Sequence, residues 1–142
     1  MKVSSNAFND GERIPVKFTC DGDDINPPLN IEQIPDTTVS MVLIMDDPDS
    51  LKGLFTHWVV YDIPVISSID ANSIPGKQGL NDFTNHQYGG PCPGTGTHRY
   101  FFKIYALDKQ LGLPDGCSRS LVEGSMKNHV IDWAQYMGLY SR

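Results

Sequence analysis

The nine-residue run Arg99-Tyr100-Phe101-Phe102-Lys103-Ile104-Tyr105-Ala106-Leu107 constrains the fold of this chain most. It is aromatic and β-favouring, and only partly alternating, so it reads as a central strand with both faces largely covered. Two further runs, Val39–Met45 and His57–Ile63, have the same character and end near Asp, Pro or Gly. Phe18–Cys20 and Leu29–Ile31 are shorter strand candidates. Between the runs, Asn26-Pro27-Pro28, Asp47-Pro48-Asp49 and Pro91-Cys92-Pro93-Gly94 are turn chemistry. The stretch from Ser67 to Thr97 holds no long element, which in a compact domain often marks function.

One helix signal lies near the C-terminus. Ser120-Leu121-Val122-Glu123 reads as a capping box, and Val122, Met126, Val130, Trp133 and Met137 follow as one apolar stripe. Gly138 suits a left-handed terminator, while Gly124 and Asn128 also allow two short helices with a break. Strands first and helix last predict a mainly β sandwich or barrel-like core with a C-terminal helix packed on it.

The 142 residues fit one domain, 1–142, around one core. No segment approaches the length of a spanning apolar helix, and the start from Met1 to Asn6 lacks the apolar stretch of a secretory signal. A net charge of −6 disfavours nucleic acid and anionic membrane surfaces, yet leaves room for a local cationic pocket. Cys20, Cys92 and Cys117 are an odd, irregularly spaced set. Free thiols in a cytoplasmic protein are the default reading, and a Cys20–Cys92 pair stays open if the fold brings the two together.

Four polar clusters carry possible chemistry. Asp46-Asp47-Pro48-Asp49 crowds carboxylates that repel unless a cation or donor sits among them. Pro48 keeps Asp47 extended, so the cluster is either a solvated turn or a carboxylate aimed into a pocket to orient a histidine. His57, flanked by Thr56 and Trp58, reads alone as a satisfied core histidine. The loop from Tyr88 to Thr97 is dense in glycine and proline and can point amides at an anion. It delivers His98 and Tyr100 onto one strand face and Arg99 onto the other, where Asp49 is a candidate partner. Asn81-Asp82-Phe83, with His86 nearby, reads as a capped turn.

His57, His98 and Asp47 are zinc-type ligands, but none stands at a local ligand spacing, so no metal or cofactor is expected. No G-x-S-x-G elbow marks an activated serine, so no catalytic residue is assigned and an enzyme is not expected.

Taken together, the motifs resemble the phosphatidylethanolamine-binding protein family, in its bacterial and archaeal branch of Raf kinase inhibitor-like proteins. The resemblance runs through Thr19-Cys20-Asp21-Gly22, Asn26-Pro27-Pro28-Leu29, Asp47-Pro48-Asp49, Phe55-Thr56-His57-Trp58-Val59, Asn81-Asp82-Phe83, Gly89-Gly90-Pro91-Cys92-Pro93 and Gly96-Thr97-His98-Arg99-Tyr100, in that order. It implies an antiparallel Greek-key β-sandwich with a short C-terminal helical segment, and a pocket for phosphate-like groups. By motif position, Asp47, His57, His98 and Tyr100 match pocket side chains and Gly90 and Pro91 the backbone wall. Asp49 and Arg99 match structural positions, as a buried ion pair.

Three departures stand out: Ser50-Leu51 where the family continues Ala-Pro, Gly94 where prokaryotic members carry Pro, and Asn30 where an aromatic is common. The first two imply a looser, more apolar rim and a more mobile loop. The resemblance implies a binder of a phosphate-containing small molecule or a phospholipid headgroup that regulates a signalling partner. The alternatives are an inhibitor of a protein kinase or protease acting by direct contact, with a homodimer as a further option, and a small His/Asp hydrolase. An anion beside Asp47 makes sense if Asp47 bonds one of the two histidines and favours its protonated form.

Overall fold

The apolar runs become the interior strands of a two-sheet sandwich, seen in a computed structural model that describes residues 1–142. Strands β1 (Lys2–Ser4), β2 (Leu29–Glu32) and β5 (Ser68–Ile69) form the smaller sheet. Strands β3 (Ser40–Asp47), β4 (Phe55–Ile63), β6 (Lys77–Gln78), β7 (His98–Leu107) and β8 (Val130–Tyr140) form the larger, in the order β6-β4-β3-β7-β8. Every strand pairing is antiparallel.

Strand β3 is buried along its whole length, which explains its unbroken apolar run. Its Met41, Leu43 and Met45 face the smaller sheet, where they join Trp58, Tyr100, Phe102, Leu29, Ile31 and Ile69 in the main core. On the other face Val42 and Ile44 pack with Val59 and Tyr61 beneath Val122 and Met126 of the helix α1 (Arg119–Met126). The Arg99–Leu107 run lies inside the larger sheet, between β3 and β8. Tyr100, Phe102 and Ile104 are buried, whereas Phe101, Lys103 and Tyr105 on its other face are half-buried.

The C-terminus differs from the sequence expectation. The helix stops at Met126, and Val130, Trp133 and Met137 lie in β8. Asn128 takes a left-handed conformation that ends the helical path. Beyond it the β-branched and aromatic residues pair with β7 from Val130 to Tyr140. The N-cap is Ser118, whose side chain accepts from the Leu121 amide; Ser120 sits inside the first turn. Gly138 terminates nothing: a Cβ there would lie 2.4 Å from Ile14 Cγ1, so glycine lets the Ile14 segment dock on β8. Phe18–Cys20 is not a strand either. Val16–Phe18 forms a 3-10 turn that the Thr19 hydroxyl closes by donating to the Val16 carbonyl.

Cys20 and Cys92 form a disulfide across a sequence separation of 72, and Cys117 is the buried free thiol. The free-thiol default is thus corrected for two of the three cysteines. A loop of that length corresponds to about 4 kcal/mol in the chain-entropy treatment of the unfolded state. No helix is long and apolar enough to cross a membrane.

Candidate functional site

Antiparallel pairing brings the end of β3, the start of β4 and the start of β7 to one end of the larger sheet. Asp46 opposes Thr56 on one side and Phe101 on the other, so Asp47, His57, His98 and Tyr100 meet there. A cavity of about 240 Å³ opens at this point. Those four side chains line it with Ser50, Leu51, Lys52, Phe55, Phe83 and the loop residues Cys92 to Thr95. Gly90 and Pro91 lie outside the lining and set the loop from behind. A Cβ on Gly90 would sit 2.5 Å from the Phe18 carbonyl oxygen, and the Gly90 amide donates to Asp24 Oδ1 at 2.8 Å. The Pro91 carbonyl accepts from the Cys20 amide.

The polar floor is built in two halves. In the first, Asp47 Oδ2 lies 2.7 Å from His98 Nδ1, and its Oδ1 accepts from the Asp49 amide. His98 Nε2 lies 3.1 Å from the Thr95 carbonyl oxygen. Both ring nitrogens therefore face oxygen acceptors, an arrangement that a doubly protonated ring satisfies with two donated bonds. In the second half, His57 Nδ1 lies 2.7 Å from the Gly89 carbonyl, which fixes the ring's orientation. Its Nε2 has no protein partner and is open to the cavity.

Burial holds His57 below the ordinary histidine range, with the Gly89 carbonyl and Asp47 opposing the shift. At neutral pH the open Nε2 is accordingly a lone-pair acceptor. The Tyr100 ring lies edge-on to His57 at 5.2 Å and stacks with His98 at 6.4 Å. Burial raises the Tyr100 hydroxyl far above its usual value, while the Cys92 backbone amide opposes this. Tyr100 thus stays a proton donor on a ring that lies edge-on to an acceptor-type histidine. Phe55 and Phe83 complete an aromatic wall around His57, at 5.0 and 5.3 Å.

The adjacent carboxylates resolve into separate partnerships. Asp46 is fully buried and pairs with Lys103 and Arg119, both at 2.9 Å. Asp49 takes Arg99 in a two-pronged pair, with Nε and Nη2 each at 2.9 Å. This pair stands at the surface rather than buried, since the Arg99 side chain is 50% exposed. Arg99 holds the Asp49 carboxyl down to about 2.

Sequence reasoning missed Phe55, Phe83, Lys52 and Thr95. Asn81-Asp82-Phe83 is a capped turn, as it reads: Asn81 Oδ1 accepts from the Phe83 amide, and its Nδ2 donates to the Gln87 carbonyl. Its further effect is to seat Phe83 against His57. The available signal was an aromatic exposed immediately after an Asn-Asp turn.

The phosphatidylethanolamine-binding protein family model matches residues 4–141. An Aquifex aeolicus protein described as a UPF0098 protein is 50% identical over all of this chain and 89% of its own length. A crystal structure described as a phosphatidylethanolamine-binding protein homolog from Chlamydia trachomatis superposes with a TM-score of 0.96 at 37% identity, covering 99% of this chain and 97% of the other. An E. coli structure described as a new member of the mammalian family superposes at 0.91 with 26% identity, covering 99% and 98%.

Proposed function

Because the chain belongs to the phosphatidylethanolamine-binding protein family, we propose that its cavity binds phosphate-like anionic headgroups without turning them over. One observation carries this reading: a lone-pair donor to the ligand, His57 Nε2, stands beside a hydroxyl donor, Tyr100 Oη, and both are open to the cavity. A phosphate monoester in its monoanionic form matches both. Its P–O⁻ accepts from Tyr100, and its P–OH donates to His57. The rim residue Lys52 supplies positive charge, and the His98 ring, bonded to Asp47, completes the polar floor. The one thiol in the lining, Cys92, is tied in the disulfide and offers no nucleophile.

The test is an NMR titration of inorganic phosphate and phosphoethanolamine, followed at the His57 and His98 ring signals from about pH 7.5 to 5.5. Affinity that rises as pH falls, with both rings shifting, is expected; flat affinity or silent rings would sink the reading. Turnover of a phosphate ester that His98→Ala abolishes would replace binding by hydrolysis.

A second reading rests on the mouth. Leu51 is 91% exposed and Phe83 39%, an apolar rim suited to direct contact with a protein such as a kinase or protease. In both readings the protein works in the cytoplasm as a regulator of a signalling partner. Trapping of cellular thiols by rapid alkylation tests that location, because a stable disulfide is unusual there.

A further inference from the structure

The disulfide does more than cross-link the fold, because of where its second half lies. Cys92 is exposed and lines the cavity, while Cys20 is half-buried just beyond the Val16–Phe18 turn. Cys92 shares the cavity lining with Tyr100, one of the two groups open to a ligand. Between Gly90 and His98 the loop has few other ties. The Pro91 carbonyl accepts from the Cys20 amide at 3.1 Å, and the Thr95 carbonyl meets His98 itself. Gly94 and Gly96 have no atom within 4 Å of a Cβ position, and Gly96 is left-handed at φ +72°. This wall of the cavity is therefore held to the body of the protein mainly at its base, through Cys92.

We propose that Cys20–Cys92 is a thiol–disulfide exchange site through which a dithiol reductant, small molecule or protein, loosens the cavity wall and weakens anion binding. The chemistry balances with that reductant alone. A thiolate of the dithiol attacks Sγ of the exposed Cys92 and expels the Cys20 thiolate, forming a mixed disulfide. The second thiol of the reductant then displaces the Cys92 thiolate. Two protein thiols and one reductant disulfide result, with two electrons passed to the protein.

Once the bond opens, the loop beyond Pro91 has no cross-link to the body, and the hydrogen bonds left at its base are those of Gly89, Gly90 and Pro91. The glycines above it let the wall depart from the position that places Cys92, Pro93 and Thr95 in the cavity lining. Binding then bears the cost of ordering the loop, which the disulfide otherwise meets in advance. The cavity's affinity becomes a readout of the redox poise around the protein.

The proposal rests on the cavity binding an anion, and its test separates the two claims. Inorganic phosphate is titrated by NMR into the oxidised protein, the protein reduced with dithiothreitol, and a Cys20→Ser/Cys92→Ser variant with and without dithiothreitol. The oxidised protein is expected to bind roughly three- to tenfold more tightly than the reduced one, with the double variant matching the reduced form and ignoring the reductant. Equal or tighter binding by the reduced protein overturns the proposal and leaves the anion reading standing. If the oxidised protein ignores phosphate, the anion reading fails, and amide exchange of residues 92–98 decides the wall's fate. Faster exchange confined to that loop on reduction supports the lock, and unchanged exchange overturns it. Global unfolding on reduction also overturns it, since the bond is then a support of the whole fold.

Discussion

Replacing Asp47 by Asn removes one negative charge from the floor of the cavity and changes almost nothing in shape. Simple repulsion says that an anion should then bind more tightly; the geometry says the opposite. The substituted side chain keeps an oxygen for the Asp49 amide, now accepted by Asp47 Oδ1 at 2.7 Å. Its NH₂ must then face His98 Nδ1, where the carboxylate oxygen stands at 2.7 Å. His98 responds by giving up the proton on Nδ1, keeping only Nε2–H toward the Thr95 carbonyl. A charge-assisted bond becomes a neutral one, a loss of about 1–2 kcal/mol at a site where Asp47 is only 3% exposed. That corresponds to a fall of roughly 3–8 °C in Tm for a chain of this size. Urea denaturation at neutral pH measures the stability, and a phosphate titration near pH 6 the binding. The Asp47→Asn variant is expected to bind phosphate about tenfold more weakly, the equivalent of about 1.4 kcal/mol. Affinity that stays the same or rises would refute the reasoning and reduce Asp47 to a repelling neighbour of the site.

Other perturbations reach the same region. His57 is held below its ordinary value of 6.5 by burial, so the unfolded chain takes up a proton there before the folded one does. Stability of the ligand-free protein is expected to fall as pH drops below about 6.5, and His57→Phe should flatten that part of the urea-midpoint profile. Asp49 moves the other way. Its carboxyl is lowered from 3.8 to about 2, so its stabilising contribution is present above 3.8 and lost as pH falls through about 2; Asp49→Asn should remove that step from an acid-unfolding curve. Gly90→Ala would drive a Cβ to 2.4 Å from Asp24 Oδ1 and 2.5 Å from the Phe18 carbonyl, costing about 1–3 kcal/mol in a denaturant melt, whereas Gly94→Ala meets nothing and should be neutral to within about 0.5 kcal/mol.

The sequence revealed the sheet where strands are apolar on both faces or nearly so. Val42, Ile44, Leu43 and Met45 point to opposite faces of β3, and each finds a hydrophobic layer. It misled where two periods coincide. Val122, Met126, Val130, Trp133 and Met137 satisfy helical spacing throughout, yet only Val122 and Met126 face a helix-covered core. Trp133 and Met137, four apart, also share a strand face, so their spacing does not separate helix from strand beyond Asn128. Tyr136, Gly138 and Tyr140, buried at alternate positions, carry the strand signal, and none of them belongs to the stripe. The cavity was legible as far as its motif side chains, because Asp47, His57, His98 and Tyr100 sit on strands whose register brings them together. Its other wall was not, because Phe83, Cys92 and Thr95 come from loops whose course depends on a disulfide across 72 residues and on the buried amide of Asn81.

The proposed anion site lies in a chain of net charge −6, and the crowding of Asp46, Asp47 and Asp49 bears on how the two fit together. Asp46 answers to Lys103 and Arg119 on the helix-covered face, and Asp49 answers to Arg99 outside the cavity. Both are matched by side chains that stay charged across the physiological range. Only Asp47, the member that lines the cavity, has a histidine for its partner. The carboxylate in the cavity therefore has an imidazole, not a lysine or arginine, as its side-chain partner. His57 adds an acceptor that burial keeps neutral, and Tyr100 a donor that burial keeps protonated. A site so composed selects by protonation state as well as by charge. On the proposed anion reading, it would favour a ligand that brings one proton with its negative charge over a dianion, which would face the His57 lone pair unmatched. Among phosphate-bearing ligands, then, affinity should follow the fraction of monoanion rather than the total concentration of phosphate.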